Sequence, residues 1–360
     1  MKILALADAS YIHTQKWARY LTSRGHELEI LSFRPTELGC AQVHFVDTGA
    51  VQPEGGNWRY LLGLAAVRRQ IWLAEPDLLF CHYLTSYGLV GALLKSSLPL
   101  VIWLHGTDIL VTPRRSPLYR LMARFALSRA DLLIMSGDHM KDPVRQLGAA
   151  SKRALVIAVG VDTARFNQTG PSERMDFTCI SSRLLMENSN IDLILRAVAR
   201  VRQMQPRIQL TIIGDGPRRP RLEETVRYLG LASSVTFLGQ LSNEVMPDLL
   251  RKHCVYLSAT SSDGTSVSLL EAMACGVFPI VSDIPANHPW ITSGTNGFLF
   301  AQGQSDVLAE RILEAFNSQQ LMERARRANW EIVRKKGDHR LNMEVCERAV
   351  VELLGKQSEQ

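Results

Sequence analysis

The sequence predicts two α/β domains, each a parallel sheet covered by helices. Short β-rich apolar runs alternate with helical stretches through both halves of the chain, and the alternation restarts after a polar, turn-rich interruption near residue 170. Length points the same way, because 360 residues exceed what one hydrophobic core usually serves.

In the first half, strands are expected at Lys2 to Ala7, Glu27 to Phe33, Gln42 to Val46, Asp77 to Cys81, Leu100 to Leu104, Asp131 to Met135 and Ala154 to Ile157. A helix is expected from Thr14 to Arg24. The second half places strands at Asp176 to Ser181, Gln209 to Ile213, Ser234 to Leu238, Cys254 to Ser258, Val277 to Val281 and Gly297 to Phe300. Between the halves, Phe166 to Ser172 reads as the linker. That puts a first domain at residues 1–165, a second at 173–318 and carboxy-terminal helices at 319–360.

Hydrophobic residues make up 46% of the chain, ordinary for a soluble globular protein, and no apolar run reaches membrane-spanning length. The start, MKILALADAS, is interrupted by Asp8 and is followed by no cleavage site, so it reads as a first strand and not a signal. Six cysteines show neither metal-ligand spacing nor a short disulfide framework, which fits a cytoplasmic chain. The net charge of +6 lies wholly in the first half: residues 1–170 hold 19 Lys and Arg against 13 Asp and Glu, whereas residues 171–360 hold 22 of each. Arg114, Arg115, Arg120, Arg124 and Arg129 cluster around Leu118, Tyr119, Leu121, Met122, Phe125 and Leu127. Such a helix could rest on an anionic bilayer, peripherally on the inner face of a membrane, or be a solvated face with its apolar side in the core. The aromatic-basic interleaving of nucleic-acid modules is missing, which argues against that partner.

Ligands of parallel sheets sit beyond the carboxyl ends of the strands. Those ends carry Asp8-Ala9-Ser10, His105-Gly106-Thr107-Asp108, Ser182-Arg183, Gly214-Asp215-Gly216-Pro217, Gly239 and Asp263-Gly264. The loops are expected to converge on one cleft between the domains. The most informative stretch is Ser258 to Val281. Gly264 permits a sharp turn after the preceding strand, and Thr265 or Ser266 can cap a helix through Leu269, Leu270, Ala272 and Met273. The open amides and positive dipole end of that helix suit a diphosphate. Asp263 and Glu271 then read as acceptors for sugar and ribose hydroxyls, although a loop with a helix cap and a first-turn acid would look the same.

HGTD at His105, GVD at Gly160 followed by Phe166, IIGDGP at Ile212, VTFLGQL at Val235, and LLEAMACG with VFPIVSD from Leu269 resemble, in residues and in order, the retaining nucleotide-sugar-dependent glycosyltransferases of family 4. That resemblance implies the GT-B fold, two Rossmann-like domains facing across a cleft, with the acceptor held mainly by the first and the donor by the second. It also implies a carboxy-terminal helix crossing back to the first domain, either Gln319 to Lys336 or the final one. Glu271 would hold the donor ribose with Leu270 beside it, and Asp263 would lie near the transferred sugar. The amides around Gly264, Thr265, Ser266 and Val267 would meet the diphosphate, neutralised by Arg183, with Gly214, Asp215 and Gly216 completing the donor site. His105 would touch the donor sugar. In the first loop, where the chain departs from the family, His13 and Thr14 could meet the acceptor or phosphate, and Asp108 could meet the acceptor. His13 could instead cap the Thr14 helix, and Asp108 could orient His105 or act as an N-cap.

The chain departs from the family's pattern in three places. Asp263 stands where a glutamate is usual, Asn188 where many relatives have lysine, and Ala9-Ser10-Tyr11 where many have paired glycines. Arg218 or Arg219 could supply the missing charge. No metal site is implied and no cofactor beyond the donor is needed. The implied activity is transfer of a sugar from a nucleoside-diphosphate sugar to a saccharide or lipid-linked hydroxyl with retention, in surface polysaccharide or glycolipid synthesis. Alternatives are a nucleotide-sugar 2-epimerase, which would need other acids and bases, and a non-catalytic nucleotide-sugar-binding or scaffold subunit.

Overall fold

A computed structural model describes residues 1–49, 58–169 and 174–357. The chain forms two compact units, one of Met1–Val159 with Arg340–Gln360 and the other of Gly160–His339. In the first, β1 (Lys2–Leu6), β2 (Glu27–Ser32), β3 (Gln42–Phe45), β4 (Leu78–His82), β5 (Leu100–Leu104), β6 (Leu132–Met135) and β7 (Ala154–Val156) make a sheet ordered β3-β2-β1-β4-β5-β6-β7. Every neighbouring pair is parallel. Strands β4, β5 and β6 are buried along their whole length, which explains their nearly unbroken apolar sequences.

The helices of this unit are α1 (Ile12–Ser23), α2 (Leu64–Ala74), α3 (Leu89–Leu94), α4 (Thr107–Leu110), α5 (Thr112–Arg115), α6 (Pro117–Arg129) and α7 (Lys141–Gln146). The basic stretch expected as one helix is therefore two. Ser116 separates them, because its hydroxyl accepts the Tyr119 amide proton as an N-cap and Pro117 follows at the first helical position.

The second unit holds β8 (Thr178–Ser182), β9 (Gln209–Ile213), β10 (Val235–Gly239), β11 (Val255–Ser258), β12 (Phe278–Ser282) and β13 (Phe298–Phe300), parallel throughout and ordered β10-β9-β8-β11-β12-β13. Its helices are α8 (Ile191–Met204), α9 (Arg219–Tyr228), α10 (Met246–Arg251), α11 (Val267–Ala274), α12 (Ser305–Asn317) and α13 (Gln319–Ile332), and α14 (His339–Gln357) ends the chain. All thirteen expected strands are present, their ends shifted by a residue or two as element ends usually are. Each unit is a Rossmann-like parallel sheet.

The divide between the units lies before the stretch expected to link them. Phe166 is buried in the second unit and Gln168 exchanges hydrogen bonds with Arg326 there; Gly170, Pro171 and Ser172 lie outside the described residues. The chain passes between units at Val159 and again at His339, where the Val161 amide donates to the Gly337 carbonyl and the His339 amide to the Val161 carbonyl. Gly160 is required at this crossing: at φ 77°, a Cβ would stand 2.6 Å from the Gly337 oxygen. Helix α13 stays in the second unit, whereas α14 packs on the first. Glu347 of α14 accepts from the Tyr20 hydroxyl at 2.6 Å and meets His26 Nε2 at 2.8 Å, and the Asn342 amide donates to the Ala158 carbonyl at 3.0 Å.

Candidate functional site

Each sheet has one place where successive strands run off in opposite directions, between β1 and β4 in the first unit and between β8 and β11 in the second. Loops part there and leave a crevice at the strands' carboxyl ends.

In the second unit Arg183 follows β8 directly. Its Nη2 lies 2.9 Å from Asp263 Oδ2, and its Nη1 donates to the Ser266 hydroxyl at 3.1 Å. Ser266 is the N-cap of α11 and accepts the Leu269 amide proton, so one guanidinium ties the acidic loop to the amino end of the helix. Behind it the Ser266, Ser268 and buried Tyr256 hydroxyls form a chain with steps of 3.2 and 2.8 Å. Sequence reasoning missed Ser268 and Tyr256, whose one signal is the serine two places after the cap. Glu271 is buried one turn into α11. Thr265 and Val267 flank Ser266, and Leu270 is fully buried.

The Gly214-Asp215-Gly216 turn leans on the backbone carrying Arg183. A Cβ on Gly214, at φ 118°, would lie 2.2 Å from the Arg183 carbonyl oxygen, and the Leu185 amide donates to the Asp215 carbonyl. These glycines thus set the position of Arg183. Asp215 accepts from the Gly216 amide and from Arg219 at 2.9 Å, which hold its carboxyl below the usual carboxylate range. The charge expected to replace a lysine at position 188 is committed elsewhere: Arg218 pairs with Glu187, and Arg219 with Asp215 and Glu223. Asn188 offers its carbonyl to the Ser261 amide at 3.0 Å.

In the first unit three imidazoles gather, from α1, the end of β4 and the end of β5. His105 Nε2 lies 3.2 Å from His82 Nδ1, and the His105 ring stacks with Tyr83 at 5.3 Å and His13 at 6.5 Å. Burial, reinforced by His13, pushes the His82 imidazole down to about 3; burial, reinforced by His82 and His13, holds His105 well below its ordinary value. Both are neutral at pH 7. His82 Nε2 is buried without a hydrogen-bond partner among the described residues, and the His82 ring packs on the Trp17 and Trp103 rings. An N–H suits those π faces better than a lone pair does. That tautomer leaves His82 Nδ1 to accept from His105 Nε2–H and makes His105 Nδ1 an acceptor. His82 was not singled out from the sequence because the strand was ended one residue early, at Cys81.

Asp108 does not have the surface an acceptor contact needs. It is fully buried, and its carboxylate accepts from the amides of His105 (3.0 Å), Gly106 (2.8 Å) and Leu84 (2.9 Å). Burial raises its carboxyl and those amides pull it back down. Its work is to hold the loop bearing His105, and the N-cap of α4 is Gly106. His13 is no cap either: α1 begins at Ile12 after Tyr11, and Thr14 is buried within it. No group of three or more side chains suited to a metal ion occurs among the described residues.

A profile described as Glycosyl transferases group 1 matches residues 162–331, and one described as Glycosyl transferase 4-like matches residues 2–137. The chain is 25% identical over 334 residues to the N-acetyl-alpha-D-glucosaminyl L-malate synthase of Bacillus anthracis, covering 87% of each. Among solved structures it is similar to sucrose-phosphate synthase from Thermosynechococcus elongatus, with TM-score 0.87 and 15% identity over 99% of this chain and 100% of that one. Anabaena HepE in complex with UDP and glucose gives 0.81 and 19% over 98% and 100%. At these identities the two structures speak for the fold.

Proposed function

The chain belongs to the group 1 glycosyltransferases, with a glycosyltransferase 4-like first part, and on that premise we propose that it moves a sugar, with retention, from a nucleoside-diphosphate sugar to a hydroxyl of a saccharide or lipid-linked acceptor. The proposed setting is the cytoplasmic face of a membrane, in surface polysaccharide or glycolipid synthesis. Among the described residues no helix is long and apolar enough to cross a membrane.

The observation that carries the proposal is Arg183, held by Asp263 and Ser266 at the amino end of α11. A guanidinium and open helix amides at one point favour an anion whose charge grows as it leaves. In the proposed step the bond from anomeric carbon to diphosphate oxygen breaks while the acceptor oxygen closes on the same face. The acceptor's proton passes to the departing oxygen, giving the glycoside and free nucleoside diphosphate. Arg183 and the amides at Gly264 to Val267 hold the diphosphate, Glu271 accepts from the ribose, and Asp263, already neutralised by Arg183, accepts from the sugar. His105, neutral at pH 7, suits a sugar hydroxyl where a cation would compete for phosphate. Gly214 to Gly216 act by placing Arg183. His13 remains the first-unit residue proposed to meet the acceptor.

Thermal unfolding and nucleotide release, measured across UDP-, GDP-, ADP- and CMP-sugars, test this. One donor is expected to raise the midpoint by several degrees and to release nucleotide. Glu271→Ala should lose about a hundredfold or more in turnover while staying folded; a folded variant with unaltered turnover overturns the assignment. Asn188 and the carboxylate-paired Arg218 and Arg219 favour a second reading, donor binding without transfer. It prevails if a donor raises the midpoint and no acceptor elicits release.

A further inference from the structure

Helices α2, α3 and α6 connect β3 to β4, β4 to β5 and β5 to β6, all stepping the same way across the first sheet. Right-handed crossovers put them on one face, and α3 packs against both of the others. This layer is unlike an ordinary solvated one in two respects. Helices α2, α3 and α6 contain no Asp or Glu, and the acid of the layer, Asp142, lies on α7 beyond them, where it pairs with Arg145. The layer's outward side chains include Trp72, Leu73, Leu93, Leu118, Leu121 and Phe125, with Trp72 exposed to 75% and Leu118 and Leu121 to 64%. On α6 Ala123, Ala126 and Leu127 face the core, while Leu118, Leu121 and Phe125 remain exposed, an apolar surface that packing within the unit does not cover.

Arg68, Arg69, Arg120 and Arg124 are exposed beside that apolar surface, and Arg114 and Arg115 lie on the adjoining α5. None of these six forms an ion pair among the described residues. Uncompensated positive charge around exposed aromatic and aliphatic side chains matches an interface that is anionic outside and apolar beneath.

We infer that the face formed by α2, α3 and α6 docks on an anionic phospholipid bilayer, with Trp72, Leu121 and Phe125 entering the headgroup boundary and the arginines meeting lipid phosphates. This deepens the proposed use of a lipid-linked acceptor by naming where the chain meets the lipid. Vesicle binding is measured without any sugar, so it fails separately from the transferase reading.

The full chain is sedimented with phosphatidylcholine vesicles, with and without 30 mol% phosphatidylglycerol, at low and at 0.5 M salt. Binding to the anionic vesicles should exceed binding to neutral ones at least tenfold and weaken with salt. L121S/F125S should lose about tenfold with an unchanged unfolding midpoint, and R120E/R124E should lose the salt-sensitive part. Equal binding by wild type and both variants, or none to either vesicle, overturns the inference. So does a wild-type dimer that L121S/F125S converts to monomer, since a second copy then covers the face, or retention of the chain by an acidic polypeptide in preference to lipid.

Discussion

The two crevices where strand order reverses are built alike and charged differently. Between β8 and β11 the polar groups form an ion pair, Arg183 with Asp263 at 2.9 Å, at the end of a helix. Between β1 and β4 they are neutral imidazoles under aromatic rings. The difference follows from what each can stabilise. A fixed charge with helix amides favours a group that becomes more anionic, and an uncharged donor-acceptor pair favours hydroxyls. The Rossmann-like frame supplies the place in both cases, and a few strand-end residues decide the chemistry.

Breaking the charged crevice should have the largest effect. Arg183→Ala is expected to lower nucleotide release by about a hundredfold to a thousandfold, and Arg183→Lys by less, because a lysine keeps charge but not the fork that reaches Asp263 and Ser266 together. Steady-state kinetics with the donor found by the panel checks this; equal losses in both variants would mean the fork geometry, and not charge alone, is what the site needs.

The neutral crevice should break through stability. Asp108→Asn leaves three amides facing a weaker acceptor and should cost about 2–3 kcal/mol in denaturant unfolding. An unchanged midpoint would show that the loop under His105 is held by something else.

A smaller effect sharpens the contrast by pH. His82 takes up a proton near 6.5 when unfolded but only near 3 when folded. A folded value depressed in this way means stability is full above pH 6.5 and is lost as pH falls. Between pH 7.5 and 5, the unfolding free energy should drop by about 2 kcal/mol from this group. His82→Phe should reduce that slope and leave the part that buried His105 contributes, and the nitrogen chemical shifts of His105 should then show a changed tautomer balance. A slope that the substitution leaves unchanged would move the effect to other groups.

Much of the fold was legible because its signals are local. Thirteen apolar runs of strand length identify thirteen strands, and the serine before Val267 marks the start of α11, since a cap acts within one turn. The break at Ser116 was equally local, in Ser-Pro, and was overlooked beneath the run of arginines. The site was legible as a set of strand ends but not as partners. Arg183 meets Asp263 across 80 positions of sequence, and His82 meets His105 across 23. Nothing in either neighbourhood names its counterpart.

The order of apolar and turn-forming residues by itself determined the two parallel sheets and the residue types at their strand ends, because these follow from spacing along the chain. Only the tertiary structure decided which charges are spent and which stay open. It turned Arg218 and Arg219 to nearby carboxylates, buried Asp108 under three amides, paired His82 with His105 and left Leu118, Leu121 and Phe125 facing outward. Burial and pairing depend on what arrives from elsewhere in the chain, and that is a property of packing.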